Sequence, residues 1–316
     1  MTSSFYSKGI SMIEKFDIII IGAGCAGLAA GIYAGRFGLS TAIFDKQLPG
    51  GQINLTDVVE NYPGYEMISG QDLSEIMVKQ VENAGAKIFE FEEVRDLDLS
   101  QSIKKVVSEM GEYEAKVVIL TTGSNYRRLG IPGEKEYTGK GVSYCATCDG
   151  QLYKKKKVIT VGGGDVAATY TRYLKEIDVK VRLVHRRDQL RAKESLQKDL
   201  ERLGVEIIWD TIVTEIFGDD ESVTGAKLKN INTSEETKME LDGVFIHIGS
   251  LPTNDLAKKA GIELDERGYI IVNKKNETNI LGIYAAGDIT GSEAQLAIVV
   301  GEGVNAAIQA YQYIKG

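Results

Sequence analysis

The chain has 316 residues, of which 43% are hydrophobic and 26% are charged, a composition typical of a globular protein with a sizeable core. This length is enough for two domains of ordinary size. The formal net charge of −8 argues against nucleic acid as the main partner, because phosphate binding requires a basic surface.

The N-terminal segment gives no sign of export, and the rest of the chain gives none of membrane insertion. No run of about 18 apolar residues occurs, so we expect no membrane span. Residues 1–15 lack the apolar segment of a signal peptide. Met12 is an alternative start, and with that start residues 1–11 are expected to be a loose extension.

The first predicted unit is a strand–helix–strand motif around a glycine-rich loop. Its elements are a strand over 16–21, a helix over 28–37 and a strand over 40–44. Between the first two lie Gly22, Gly24 and Gly27, in the spacing G-x-G-x-x-G, and Asp45 follows the second strand. Such glycines let the backbone approach a pyrophosphate at a helix N-terminus. Asp45 can accept hydrogen bonds from ribose hydroxyls, which suits FAD or NAD.

A pair of cysteines, Cys145 and Cys148, is followed at once by Asp149. Two thiols at this spacing can form a reversible disulfide, and a lowered pKa makes one of them a nucleophile. Zinc would need two more ligands, and the remaining cysteine and the two histidines have no paired spacing. Asp149 can act as a general acid toward a departing thiolate or can cap a helix, and both roles remain open.

The cysteine count also indicates the compartment. The total of three is odd, which does not fit a secreted disulfide framework. We expect Cys25, inside the first glycine loop, to be a small packing residue. The remaining pair fits a catalytic couple in a reducing compartment, and we expect the protein in the cytoplasm.

A second strand–helix–strand motif repeats the first. Its elements are a strand over 157–161, a helix over 168–176 and a strand over 180–184. Gly162, Gly164 and Ala167 form G-x-G-x-x-A, and His185 lies as far beyond Gly162 as Asp45 lies beyond Gly22.

Three arginines follow the second motif: Arg186, Arg187 and Arg191. Their forked cationic groups suit the 2′-phosphate of NADPH. A solvated helix start is the alternative interpretation.

The rest of the chain predicts further strands near 205–209, 223–230 and 243–248, a linker over 251–254, a strand leading into a loop over 282–288 and a closing helix over 295–314. The fold class is therefore α/β, with two Rossmann-like, doubly wound, three-layer domains that bind nucleotides. A dithiol between two nucleotide loops suggests an electron relay in an oxidoreductase that acts on disulfides.

Six sequence strings closely resemble the low-molecular-weight thioredoxin reductases. They are residues 50–52, 60–64, 129–134, 141–150, 185–187 with Arg191, and 285–288. The resemblance covers nearly all of the chain from about Phe16 onward. It implies a homodimeric flavoprotein whose discontinuous FAD domain comprises 1–126 and 253–316, with an inserted NADPH domain over 127–252.

The resemblance also implies an electron path. NADPH reduces FAD, the flavin reduces the cysteine pair, and the pair reduces thioredoxin or a similar small redox protein. Cys148 faces the flavin, Cys145 attacks the substrate disulfide and Asp149 donates a proton. Because one domain carries both NADPH and the dithiol, the two take turns at the flavin by domain rotation. Further residues that match FAD-site positions are Gly51, Gln52, Asn61, Thr122, Gly287, Asp288 and Gln295.

The chain departs from the family pattern at two places. Thr169 and Tyr170 stand where many members have an acidic pair, and Ala294 stands where many have arginine before the glutamine. Two alternatives remain open. One is a related flavoprotein disulfide reductase that uses ferredoxin as reductant or acts on another disulfide. The other is a nucleotide-binding sensor without catalysis.

Overall fold

The computed structural model describes residues 13–56 and 58–316. The expectations about residues 1–11 and Met12 lie outside this range. The described residues form two compact units. Of these, unit 1 comprises the described residues up to Asn54 together with Gly70–Ser124 and Pro252–Gly316, and unit 2 comprises the described residues of Leu55–Ser69 and Asn125–Leu251.

The strands are β1 Glu14–Ile21, β2 Thr41–Phe44, β3 Lys87–Phe89, β4 Val94–Asp98, β5 Lys104–Ser108, β6 Glu112–Leu120, β7 Ser124–Tyr126, β8 Val142–Ser143, β9 Lys157–Gly162, β10 Lys180–Val184, β11 Glu206–Ile208, β12 Thr211–Gly218, β13 Val223–Asn230, β14 Glu236–Glu240, β15 Gly243–His247, β16 Ser250–Pro252 and β17 Ile283–Ala285. The α-helices are α1 Cys25–Arg36, α2 Gly70–Asn83, α3 Ala146–Asp149, α4 Asp165–Glu176, α5 Glu194–Arg202, α6 Asp255–Lys259 and α7 Leu296–Lys315. Short 3₁₀ helices cover Gly51–Leu55, Gly150–Tyr153 and Asp288–Thr290.

Unit 1 is built around a mixed sheet in the order β3-β2-β1-β6-β5-β4, with β17 also pairing with β6. The pairs among β3, β2, β1, β6 and β17 are parallel, whereas β5 pairs antiparallel with both β6 and β4. Burial on both faces of the sheet explains why β1 ends in four consecutive isoleucines. Ile18 and Ile20 pack into a cluster with residues of α1, α2 and α7, whereas Ile19 and Ile21 pack with Phe44 on the opposite face.

Unit 2 contains a parallel sheet in the order β11-β10-β9-β15-β8 and a separate antiparallel sheet, β12-β13-β14. Because all pairs in the first sheet are parallel, the carboxyl ends of its strands lie along one edge. Ligands of open α/β sheets bind outside this edge. It is therefore the edge at which a nucleotide loop is expected.

The predicted fold class is confirmed, and the structure corrects several element limits. Helices α1 and α4 begin at Cys25 and Asp165, three residues earlier in each case than predicted. In both motifs the helix starts immediately after the second glycine, so the loop is shorter than the small residues indicated. The predicted linker over 251–254 begins inside a strand, Ser250–Pro252.

The segment Leu55–Ser69 groups with unit 2, although the resemblance places it in the flavin domain. The domain limits therefore remain a prediction. Among the described residues, no helix is both long enough and apolar enough to span a membrane.

Candidate active site

The first glycine loop joins β1 to α1 and is compressed against β6. Gly22 has a φ of +108°, and a Cβ atom there would lie 2.3 Å from the carbonyl oxygen of Thr121. A Cβ at Gly27 would lie 1.9 Å from the carbonyl oxygen of Gly22. Gly24 differs, because a Cβ there would meet no described atom within 4 Å. The loop is thus tight on its inner side and open at its middle glycine, where a ligand can approach the backbone.

The start of α1 has the features of a pyrophosphate site. Among the described residues, no side chain caps this helix and no acidic residue lies in its first turn. The N-terminal N–H groups and the positive end of the helix dipole therefore favour an anion. Asp45 closes the loop, since its Oδ2 accepts a hydrogen bond of 2.6 Å from the Ala23 N–H. Burial raises the pKa of the Asp45 carboxyl.

Two residues assigned by resemblance alone, Gln52 and Asp288, meet in unit 1. The Gln52 Nε2 donates to the Ser124 carbonyl oxygen and lies 3.4 Å from the Asp288 Oδ2. Burial, and then the charge of Glu302, raises the pKa of Asp288 to about 6. Gly287 donates its N–H to the Glu302 Oε2 at 2.7 Å. The corner is therefore a half-buried polar cluster around two carboxylates.

The other residues assigned by resemblance are more dispersed. Gly51 begins the 3₁₀ helix Gly51–Leu55, and a Cβ there would lie 3.3 Å from the Gly24 Cα. The Thr122 hydroxyl donates to the Thr253 carbonyl oxygen at 2.8 Å. Gln295 precedes α7 as its N-cap residue. Asn61 lies in the segment grouped with unit 2, so its assignment stays a prediction.

The second glycine loop has the same construction at the carboxyl end of β9. A Cβ at Gly162 would lie 2.4 Å from the His247 carbonyl oxygen, whereas a Cβ at Gly164 would meet no described atom within 4 Å. Ala167 is fully buried in the first turn of α4. No described side chain caps this helix. The two loops therefore share one geometry. In each, the first glycine packs against a backbone carbonyl, and the second has open space where a side chain would be.

His185 lies beneath the second loop. A Cβ at Gly163 would be 2.0 Å from the imidazole Cε1, so only glycine fits above the ring. The imidazole is buried, its Nε2 lies 3.0 Å from the Gln189 carbonyl oxygen, and burial lowers its pKa. The His185 ring therefore shapes the loop from below.

The three arginines are exposed around the same loop. Arg191 is tied to it through its backbone, whose N–H donates to the Gly163 carbonyl oxygen at 2.8 Å. In the described part of the chain, none of the guanidinium groups of Arg186, Arg187 and Arg191 forms an ion pair. They are thus available to a phosphate group that approaches from solvent.

The dithiol lies at the same edge of the unit 2 sheet as the second loop, because β8 is parallel to β15 and β15 is parallel to β9. Cys145 and Cys148 form a disulfide, with their Cα atoms 5.3 Å apart. Cys145 is the N-cap of α3, and its Sγ accepts from the Cys148 N–H at 3.2 Å. The one-turn helix therefore brings the two sulfurs together.

Asp149, the last residue of α3, is bound through both its backbone and its side chain. Its N–H donates to the Cys145 carbonyl oxygen at 3.1 Å, and its Oδ2 accepts from the Ser143 hydroxyl at 2.5 Å. Tyr153 lies close enough for the Asp149 charge to contribute to raising the Tyr153 pKa to about 12, although burial is the larger cause. The carboxylate thus belongs to the dithiol turn and does not project freely into solvent.

Glu134 holds Tyr144, the residue directly before the dithiol, and the sequence pattern predicted neither as a site residue. The buried Glu134 carboxylate accepts from the N–H groups of Leu129 and Gly130 and from the Tyr144 hydroxyl, at 2.9, 2.7 and 2.8 Å. The Tyr144 ring stacks on Tyr126 at 5.1 Å. Both residues lie in the family-like strings, but no spacing rule connects them.

One of the departures from the family pattern creates an aromatic contact. Tyr170 packs edge-on against the His247 ring, with the ring centroids 4.8 Å apart. Burial lowers the pKa of His247 to about 3, so the ring is neutral near pH 7. Tyr170, one of the two positions at which the family pattern has an acidic pair, thus makes an aromatic contact with a neutral imidazole.

The geometry supports three chemical capacities. The loop in unit 1 can bind a dinucleotide through its open glycine and uncapped helix. The loop in unit 2 can bind another, with cationic groups beside it. The disulfide at the edge of unit 2 can accept two electrons and pass them to another disulfide.

Comparison with known proteins gives a match along almost the whole chain. Residues 16–311 match the family described as pyridine nucleotide-disulphide oxidoreductase. The chain is 41% identical over 302 residues to a thioredoxin reductase of Bacillus subtilis, covering 95% of each protein. It is 40% identical to a thioredoxin reductase of Listeria monocytogenes, covering 95% of this chain and 94% of the relative.

The fold is also similar to solved structures. A thioredoxin reductase from Streptococcus pyogenes superposes with a TM-score of 0.90 at 40% identity, covering 95% of this chain and 98% of the other. A thioredoxin reductase from Giardia duodenalis gives 0.89 at 36% identity, covering 96% and 100%.

Proposed function

Because the chain belongs to the pyridine nucleotide-disulphide oxidoreductase family, we propose that it is a thioredoxin reductase that carries electrons from NADPH through FAD to the Cys145–Cys148 disulfide and then to thioredoxin. The observation that carries the proposal is the disulfide of unit 2, which lies at the same sheet edge as a glycine loop. A nucleotide-binding sensor has no need of two apposed cysteines at that edge.

The residues of unit 1 fit FAD. The open face of Gly24 and the uncapped start of α1 suit its pyrophosphate, and Asp45 is placed to hold a ribose. The half-buried corner of Gln52 and Asp288 supplies polar groups for the rest of the cofactor. When bound, FAD supplies a carrier that accepts two electrons from a nicotinamide and passes them to a disulfide.

The residues of unit 2 fit NADPH. Gly164 and the uncapped start of α4 repeat the pyrophosphate cradle. Arg186, Arg187 and Arg191 lie beside it without ion-pair partners among the described residues, and this favours a ligand with an additional phosphate over NADH. Since the loop and the dithiol both belong to unit 2, their turns at a flavin in unit 1 require rotation of one unit against the other.

The dithiol performs the disulfide exchange. The Cys145 thiolate attacks one sulfur of the thioredoxin disulfide, forming a mixed disulfide while the other thioredoxin sulfur leaves and takes up a proton. The Cys148 thiolate then attacks Cys145, which re-forms the enzyme disulfide and releases the second thioredoxin sulfur, which takes up another proton. The two protons are those that the reduced enzyme pair carried, and in this proposal Asp149 transfers them. We further propose a homodimer that works in a reducing compartment such as the cytoplasm.

The proposal is tested by steady-state reduction of thioredoxin with NADPH and with NADH. Replacing Arg186, Arg187 and Arg191 together by Gln should raise the KM for NADPH at least about tenfold, because charge-assisted contacts to a phosphate contribute more than about 1.4 kcal/mol. The KM for NADH should barely change. The matched control is Arg182→Gln, since Arg182 is an exposed arginine of the same unit that pairs with Glu206.

Two results would count against this assignment. Equal losses with both nucleotides would remove the arginines from the phosphate site. Failure of the wild-type protein to reduce thioredoxin with either nucleotide would favour the alternative of another reductant or another disulfide.

A further inference from the structure

Ser143 is a buried polar residue at the end of a buried strand. It is the second residue of β8, only 5% of it is exposed, and its neighbour Val142 is buried as well. A parallel strand enclosed on both faces normally carries apolar side chains here. A buried hydroxyl must find hydrogen-bond partners, and those of Ser143 all lie in the dithiol turn.

The Ser143 hydroxyl connects the two ends of that turn. Its oxygen accepts a hydrogen bond of 3.1 Å from the Cys145 N–H and lies 2.5 Å from the Asp149 Oδ2. A second possible acceptor, the Cys145 carbonyl oxygen, is 3.3 Å away. A hydroxyl has a single proton to donate, and the short distance to a charged acceptor assigns that proton to the carboxylate. The same atom therefore holds both the backbone of Cys145 and the side chain of Asp149.

This arrangement limits where the Asp149 carboxylate can lie. Its backbone N–H is bound to the Cys145 carbonyl oxygen at 3.1 Å, so the main chain at position 149 is fixed relative to that cysteine. The bond to Ser143 fixes the side chain as well. A proton-transferring group is effective only when it is held within reach of the reacting atom.

We propose that Ser143 is a positioning residue for disulfide exchange, whose hydroxyl holds the Asp149 carboxylate in the orientation from which it transfers protons to and from the cysteine pair. The inference rests on the proposed function, in which Asp149 transfers these protons. Ser143 itself stays outside the covalent steps: it forms no bond to sulfur, and its hydroxyl proton remains on it. Its effect on the reaction runs through Asp149.

The competing role is purely structural, in which the hydroxyl only supports the turn through the Cys145 N–H. The two roles separate in a double-mutant cycle. Stopped-flow absorbance follows two half-reactions of the FAD-loaded enzyme. One is reduction of the flavin by NADPH, and the other is oxidation of the prereduced dithiol by thioredoxin. The variants are Ser143→Ala, Asp149→Asn and the combination of both, with Thr214→Val as the control.

The control removes a hydroxyl of the same unit that lies far along the chain from the dithiol and bonds to the Lys227 carbonyl oxygen. Thr214→Val should leave both half-reactions unchanged. Ser143→Ala should slow dithiol oxidation about tenfold while leaving flavin reduction within about twofold of the wild type. Flavin reduction thus reports that the variant is folded and loaded.

The decisive comparison is the effect of Ser143→Ala in the Asp149→Asn background. If Ser143 acts through Asp149, removing the hydroxyl there should change dithiol oxidation by less than about twofold. A full additional tenfold loss in that background would overturn the proposal and assign Ser143 to the backbone of the turn. Dithiol oxidation that is unaffected by Asp149→Asn alone would instead contradict the proton-transfer role in the proposed function.

Discussion

At the scale of single residues, the two glycine loops contain a built-in contrast between positions that fold the loop and positions that admit a ligand. A Cβ at Gly24 or Gly164 meets no described atom, and neither residue has a positive φ. Gly24→Ala should therefore leave the thermal stability of the FAD-free protein unchanged while weakening FAD binding at least tenfold, because the methyl group occupies the face that the pyrophosphate approaches. Gly164→Ala should do the same for NADPH.

Isothermal titration of each variant with its nucleotide measures these affinities. Gly27→Ala is the contrasting variant, since its Cβ would lie 1.9 Å from a backbone oxygen, and it should lower the stability of the FAD-free protein as well. Normal FAD affinity in Gly24→Ala would show that the first loop is not the pyrophosphate site.

Asp288 predicts a pH dependence of stability at the same scale. Burial, and second the charge of Glu302, raises its pKa from 3.8 to about 6 in the folded state. An acid that binds its proton more tightly when folded contributes most to stability below its unfolded pKa, and this contribution is lost as the pH rises through the folded value. Two pKa units correspond to about 3 kcal/mol.

The free energy of unfolding of the FAD-free wild type, measured relative to Asp288→Asn, should therefore fall by up to about 3 kcal/mol between about pH 4 and pH 7. Urea unfolding at a series of pH values measures this difference. A difference that stays constant with pH, or rises, would mean that Asp288 is not buried as described.

At the scale of elements, α7 packs against α1, the helix that begins the first glycine loop. The closest approach is at Gly303, where a Cβ would lie 2.1 Å from the Ala26 carbonyl oxygen. At Gly301, two residues earlier and on the exposed side of the helix, a Cβ would meet no described atom within 4 Å. Gly303→Ala should cost about 1–3 kcal/mol because the helices must move apart. Gly301→Ala should instead stabilise the protein by about 0.5–1 kcal/mol through helix propensity.

Urea unfolding of the two variants gives opposite signs if α7 lies on α1 as described. Destabilisation by Gly301→Ala that matches the loss in Gly303→Ala would be inconsistent with this packing.

The sequence predicted both strand–helix–strand motifs because their signals are local. An apolar run such as 16–21, followed at once by spaced glycines, has few other structural solutions. Helix starts were predicted too late because small residues such as Ala26 and Ala167 suit a loop as well as a helix. Gln52 and Asp288 were assigned to the flavin site from the family resemblance alone. Their contact joins positions far apart in the chain, so no local sequence pattern predicts it.

The partners of the dithiol turn escaped prediction for a different reason. The bond from Tyr144 to Glu134 and the bond from Ser143 to Asp149 are each set by side-chain direction at the end of a short strand. Hydrophobic periodicity carries no information about such directions in a strand of two residues. Only the packed structure shows that a serine and a carboxylate share one hydrogen bond.

At the scale of the whole molecule, the proposed electron path has two electron-accepting centres, a flavin and the disulfide. If FAD in unit 1 and the disulfide in unit 2 are both on the path, the oxidised enzyme must take up two electron pairs before its flavin is fully reduced. Net charge and composition do not predict the number of electron pairs that the oxidised enzyme takes up. It follows only from the disulfide between Cys145 and Cys148 together with a flavin that communicates with it.

Anaerobic titration of the FAD-loaded protein with NADPH, followed by flavin absorbance, tests the relay most directly. The wild type should need about two equivalents of NADPH per flavin for complete bleaching, and the variant with both Cys145 and Cys148 replaced by Ser should need about one. The same end point of one equivalent in both proteins would contradict a dithiol on the electron path.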